Sequence, residues 1–110
     1  MKLGIIGGSG LETIDRIKIL ERIKVETPFG DPSDVFTLGE VDGISVVFLS
    51  RHGEGHTIAP NEINHRANIY GFKKLGITHL LSFSAVGSLQ EHIRPKDIVM
   101  IDQYFDRSKK

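Results

Sequence analysis

Short, nearly continuous apolar runs alternate along this chain with polar loops that carry glycine. Leu3, Ile5 and Ile6 form the first run, and Gly7-Gly8-Ser9-Gly10 follows it directly. An apolar run closed by glycine is the pattern of a parallel strand covered on both faces. Residues 11–14 then read as a helical turn and residues 17–25 as largely extended. Pro28, Gly30 and Pro32 punctuate residues 26–33, a turn-rich loop rather than a linker, because apolar patterning resumes at once. Residues 35–38 and 44–50 are β-rich, and Asp42-Gly43 between them predicts a hairpin. Ile44, Val46, Val47, Phe48 and Leu49 are nearly continuous, so the second of these strands is expected to be buried on both faces.

The period then changes. Pro60 and Asn61 mark a helix start, with Asn61 as its expected cap. Ile63, Ala67 and Tyr70, with Ile69 and Phe72 beside them, form a helical apolar stripe, and Gly76 suits the residue just past the helix end. Residues 79–83 read as the next strand, residues 94–97 as a turn and residues 98–101 as a further strand. Strand, crossover helix and strand together predict a parallel pair within an α/β protein. The expected fold is therefore a mixed, largely parallel sheet with flanking helices.

In open parallel sheets ligands sit beyond the carboxyl ends of the strands. Three loops leave strands in that direction: residues 7–10, 51–56 and 84–88. The first and third offer backbone N–H groups and the hydroxyls of Ser9 and Ser84, and the second offers Arg51 and His52. Glycine lets a backbone approach an anion closely, successive N–H groups can converge on it, and a guanidinium presents a planar fork to phosphate oxygens. Each feature also has a plainer reading: a tight strand-to-helix turn, a solvated arginine, a serine that merely forms a turn. His52 and His56 stand four apart, but Gly53 and Gly55 oppose the helix on which that spacing would serve a metal. His65 and His79 read as a helix-surface and a strand-end residue. Asn61, Glu62 and Asn64 read as helix-start residues close enough to the loops to touch a substrate.

Composition narrows the possible partners. The 110 residues suit one small domain, and 14 basic residues balance 14 acidic ones. Such a balance disfavours nucleic acid and anionic membrane as partners. Cysteine is absent, which excludes disulfides, thiolate catalysis and thiolate zinc sites. No apolar stretch approaches the roughly 20 residues of a membrane helix, and no secretory leader pattern is present, so a cytoplasmic location is expected. Two nucleotide motifs fail on spacing. Leu11 and Glu12 do not supply the Lys and Ser/Thr of a P-loop. The glycines are out of register for a dinucleotide fold, and Arg51 stands where the second strand of such a fold would end in an acid.

Taken together, Ile5-Ile6-Gly7-Gly8-Ser9-Gly10-Leu11, Thr27-Pro28-Phe29-Gly30-Asp31-Pro32-Ser33-Asp34, Arg51-His52-Gly53, His56-Thr57-Ile58-Ala59-Pro60, Ala67-Asn68-Ile69, Ser84-Ala85-Val86-Gly87-Ser88-Leu89, Asp97-Ile98-Val99 and Asp102-Gln103-Tyr104-Phe105-Asp106-Arg107 resemble the 5′-methylthioadenosine phosphorylases of the trimeric purine nucleoside phosphorylase superfamily. The resemblance implies phosphorolysis of a purine nucleoside to free base and pentose 1-phosphate. It implies phosphate binding by Ser9, Arg51, His52, Ser84 and Ala85, inorganic phosphate as co-substrate, no metal or organic cofactor, and a homotrimer. Ser9 and Ser84 stand where many relatives have threonine and keep the hydroxyl. Residues 1–110 are expected to be the N-terminal, phosphate-binding part of a single domain, with the base-recognising carboxylate outside the chain. The other expectation, from a different class, is an anion-binding or subunit-interaction remnant without turnover.

Overall fold

The computed structural model describes residues 1–8, 15–55 and 57–107. Among these, the elements are β1 (Leu3–Gly7), β2 (Ile17–Ile23), β3 (Phe36–Val41), β4 (Ile44–Ser50), α1 (His65–Lys74) and β5 (His79–Ser82), with a 3-10 turn at Pro60–Glu62. The strands form one mixed sheet in the order β2-β3-β4-β1-β5. β1 pairs in parallel with β4 on one side and with β5 on the other. β2, β3 and β4 form an antiparallel meander. The mixed α/β sheet expected from the apolar runs is the architecture found. Leu20 sits at the irregularity where β2 slips register against β3, between Ile19 and Glu21.

The β3–β4 hairpin turns on Asp42 and Gly43, both at positive φ (49° and 82°). This is the geometry that matches the twist of two antiparallel strands, and it explains why an Asp-Gly pair marks the turn. Pairing continues to Val41↔Ile44, so β3 runs three residues past the expected end at Leu38. From Val46 to Ser50 every residue of β4 is buried, as its continuous apolar pattern requires.

Helix α1 connects β4 to β5 and covers one face of the sheet. Its cap is Asn64, not the expected Asn61: the Asn64 side chain accepts from the Ala67 N–H at 3.0 Å. Asn61 lies in the 3-10 turn, which leaves the chain extended at Ile63 before the true helix begins. At the other end Gly76 adopts φ +79°, with Gly76 N–H donating to the Lys73 carbonyl and Ile77 N–H to the Phe72 carbonyl. That pair of bonds is the Schellman arrangement a glycine at this position permits.

The buried face is rotated from the expected stripe. α1 buries Ala67, Asn68, Gly71 and Phe72, while Ile69 is 54% exposed. The reason is close approach. Phe36 fills the notch at Gly71 and meets Phe72 edge-on, ring centroids 4.9 Å apart. On the sheet, Gly4 leaves room for the same helix end: a Cβ there would lie 2.8 Å from the Phe72 ring and 2.9 Å from Ile77. Ile6, Val25, Val47 and Leu49 complete the core cluster around Phe36 and Phe72.

Residues 98–101 do not form the expected strand. Ile98 and Met100 are more than nine-tenths exposed and the segment joins no ladder. An apolar run becomes a strand only where a neighbour satisfies its N–H and C=O groups, and no strand of this sheet lies beside it. The turn before it does form, with Asp97 N–H donating to the Arg94 carbonyl at 3.0 Å. The helical turn expected at residues 11–14 lies outside the described residues.

The packing at Gly71 yields a signed prediction. Gly71→Ala gains about 1 kcal/mol of helix propensity, but its Cβ would stand 2.6 Å from Phe36 Cε1 in a fully buried ring, and overpacking costs about 1–3 kcal/mol. Urea unfolding should therefore show a net destabilisation, with a lowered midpoint at unchanged slope.

Candidate functional site

Because β4, β1 and β5 are parallel, their carboxyl ends reach the same edge of the sheet. The last two carbonyls of β1 hold the flanking loops there. The Ile6 carbonyl accepts from the Phe83 N–H, and the Gly7 carbonyl accepts from the Arg51 N–H, each at 2.9 Å. Arg51 then bridges the two outer strands, its Nη2 donating to the Phe83 carbonyl at 3.0 Å. The residue after Phe83 is Ser84, so the guanidinium of the second loop is fastened to the base of the third.

The 51–55 turn is held by short-range bonds. Gly53 N–H donates to the Ser50 carbonyl and the Ser50 hydroxyl donates to the Gly53 carbonyl, both at 3.2 Å. Ile58 N–H donates to the His52 carbonyl at 3.0 Å, and the His52 Nδ1 lies 3.0 Å from the Ile58 carbonyl oxygen. A carbonyl oxygen only accepts, so Nδ1 carries the proton in that bond. Gly53 and Gly55 both have positive φ (+75° and +77°), the conformation that allows the turn to reverse so tightly.

The structure thus brings Arg51, His52 and the Phe83–Ser84 junction to one sheet edge. Ser84 and Ala85 are exposed and lie in irregular backbone beyond β5. Arg51 and His52 are half-buried. Ser9 and His56 lie outside the described residues, so the glycine turn enters this picture only through Gly7 and Gly8. His65 and His79 are exposed, and the His79 ring engages its neighbour Thr78 at 2.9 Å. Among the described residues, no three His, Asp or Glu side chains gather as a metal would need.

Two residues escaped the sequence pattern. Ser33 and the buried Asn68 hold each other through two hydrogen bonds, and the Ser33 carbonyl packs against Gly53. The available signal was an asparagine between apolar positions of a helical stripe, where a buried carboxamide demands partners.

A mixed sheet in which three parallel strands end at one edge, with one helix packed on a face, defines an α/β protein. The sequence model of the Phosphorylase superfamily matches residues 2–110, and the chain belongs to that family. It is 56% identical to the S-methyl-5′-thioadenosine phosphorylase of Thermosynechococcus vestitus over 98% of its length, and 47% identical to that of Ciona intestinalis over 99%. It spans 37% and 39% of those two relatives, so rather more than a third of each. Among solved structures, a methylthioadenosine phosphorylase from an antarctic soil metagenomic library superposes with a TM-score of 0.81 at 50% identity, over 87% of this chain and 33% of that one. The Schistosoma mansoni methylthioadenosine phosphorylase in complex with adenine superposes with a TM-score of 0.78 at 48% identity, over 88% of this chain and 33% of that one.

The turn itself is open to test. A Cβ on Gly53 would sit 3.0 Å from the Ser33 carbonyl oxygen, whereas one on Gly55 would find its nearest neighbour 4.0 Å away, at Thr57. Gly55→Ala should show the left-handed strain of about 1–2 kcal/mol alone. Gly53→Ala adds the carbonyl contact and should lower the urea midpoint further. Equal losses would mean that the loop of residues 27–34 does not press on the turn.

Proposed function

We propose that the chain is the phosphate-holding part of an S-methyl-5′-thioadenosine phosphorylase, with inorganic phosphate as co-substrate and no metal or organic cofactor. The observation that carries this reading is the Arg51 guanidinium anchored between two strand-end loops, in a chain about half identical to such enzymes. In phosphorolysis a phosphate oxygen bonds to the anomeric carbon as the bond from that carbon to the purine nitrogen breaks. The products are a pentose 1-phosphate and the free base, which takes up a proton. The sugar passes through a cationic state, so the enzyme must place a dianion close by without neutralising it. Fixed donors do this at no cost of reorganisation.

Arg51 supplies the fork, while the Ser9 and Ser84 hydroxyls and the Ala85 N–H supply neutral donors. His52, whose Nδ1 proton goes to the Ile58 carbonyl, donates a hydrogen bond to phosphate or sugar through a proton at Nε2 and does not act as a general base. Adenine is the base to be expected, since adenine complexes of the Schistosoma mansoni relative are known. The acid that protonates the purine lies in the part of the relatives' length that this chain does not span. A homotrimer in the cytoplasm completes the proposal. Among the described residues, no helix is long and apolar enough to cross a membrane. The second reading is a chain that binds phosphate without turnover.

Adenine release from 5′-methylthioadenosine, with and without phosphate, separates these readings. Phosphate-dependent release supports a catalytically sufficient chain. No release, with phosphate still raising the melting temperature, supports the binding reading. At a phosphate concentration of 100 times Kd the stabilisation should be about 2.7 kcal/mol. Arg51→Ala should weaken phosphate binding by about 1.5–3 kcal/mol, the worth of a charge-assisted hydrogen bond. A melting temperature indifferent to phosphate in the parent chain would sink both readings.

A further inference from the structure

Residues 27–34 lie outside the loops proposed to hold phosphate, yet helix α1 grips them at two points. Asn64 Nδ2 donates to the Phe29 carbonyl at 2.7 Å while its Oδ1 caps the helix. Four residues on, Asn68 Oδ1 accepts from the Ser33 N–H at 2.8 Å, and its Nδ2 donates to the Ser33 Oγ at 3.0 Å. Both carboxamides thus use both ends, on one side of the helix. Asn68 is 1% exposed, in a position that the helix pattern would otherwise give to an apolar residue. Burying a carboxamide costs free energy unless its partners are fixed, so this pair is a specific device rather than a surface contact.

The grip leads to the site. The Ser33 carbonyl oxygen lies 3.0 Å from where a Cβ of Gly53 would stand, and Gly53 directly follows His52 in the turn that starts at Arg51. We infer that Asn68 and Ser33 are positioning residues: their clasp presses the 27–34 loop against Gly53 and holds the 51–55 turn, and with it Arg51 and His52, at the end of β1. Neither residue belongs to the loops proposed to hold phosphate. The inference deepens the proposed phosphate site and rests on that reading, but the mechanical link from Asn68 to Gly53 can be tested without it.

The test uses Asn68→Ala and Ser33→Ala, with Val46→Ala, a buried β4 side chain five residues before Arg51 and outside the Phe36–Phe72 cluster, as a variant destabilised away from the clasp. Amide exchange by NMR is read at Gly53 and at Ile58, whose N–H is bonded to the His52 carbonyl. Asn68→Ala should speed exchange at both amides by about tenfold relative to the β4 amide of Leu49, the equivalent of losing one satisfied buried group. Ser33→Ala, which keeps the backbone bond to Asn68, should do the same to a smaller extent and decides the matter if Asn68→Ala does not fold. Phosphate titration should give a half-saturating concentration about tenfold higher in Asn68→Ala than in the parent, and unchanged in Val46→Ala. Uniform acceleration across the sheet, or an equal loss of phosphate affinity in Val46→Ala, would overturn the positioning role. If the parent ignores phosphate, the phosphate reading fails, and the exchange pattern alone decides whether the clasp holds the turn.

Discussion

The arrangement depends on how the end of β1 uses its backbone. As the central parallel strand it has a neighbour on each side, and its last two carbonyls accept one N–H from each neighbouring loop. Those two bonds place the residue after β4 and the residue after β5 on either side of the end of β1. The Arg51 side chain then closes the arch from one loop to the other. A guanidinium tethered through one nitrogen to a carbonyl loses much of its rotational freedom before any ligand arrives.

The second constraint is distance. α1 comes close enough to the sheet that a Cβ at either of two glycines in the contact, Gly4 on β1 or Gly71 on the helix, would force its neighbours to shift. Phe36 and Phe72 occupy the space so created in an edge-to-face pair, an arrangement worth about 0.5–1.5 kcal/mol beyond its buried area. The close approach brings the N-terminal turns of α1 over the 27–34 loop, where Asn64 and Asn68 grip it. Core packing at Gly71 and Phe72 and loop fastening at Asn64 and Asn68 are therefore two consequences of one helix placement.

Much of this was written in local patterning. β1, β4 and β5 follow from short apolar runs, the hairpin from Asp42-Gly43, and the helix end from Gly76, because each signal acts within a few residues of itself. Arg51 and His52 were legible as candidate ligands since they follow a buried strand directly. What needed the tertiary structure depends on residues far apart in the chain. The cap moved from Asn61 to Asn64 because the 3-10 turn intervenes before the helix can begin. The buried stripe rotated onto Asn68 and Gly71 because Phe36 and Ser33, more than thirty residues away, supply what those positions pack against. The apolar run at residues 98–101 has the composition of a strand but no neighbour to pair with. Sequence records which residues want burial or a turn, and only the fold decides which distant backbone and side-chain groups meet them.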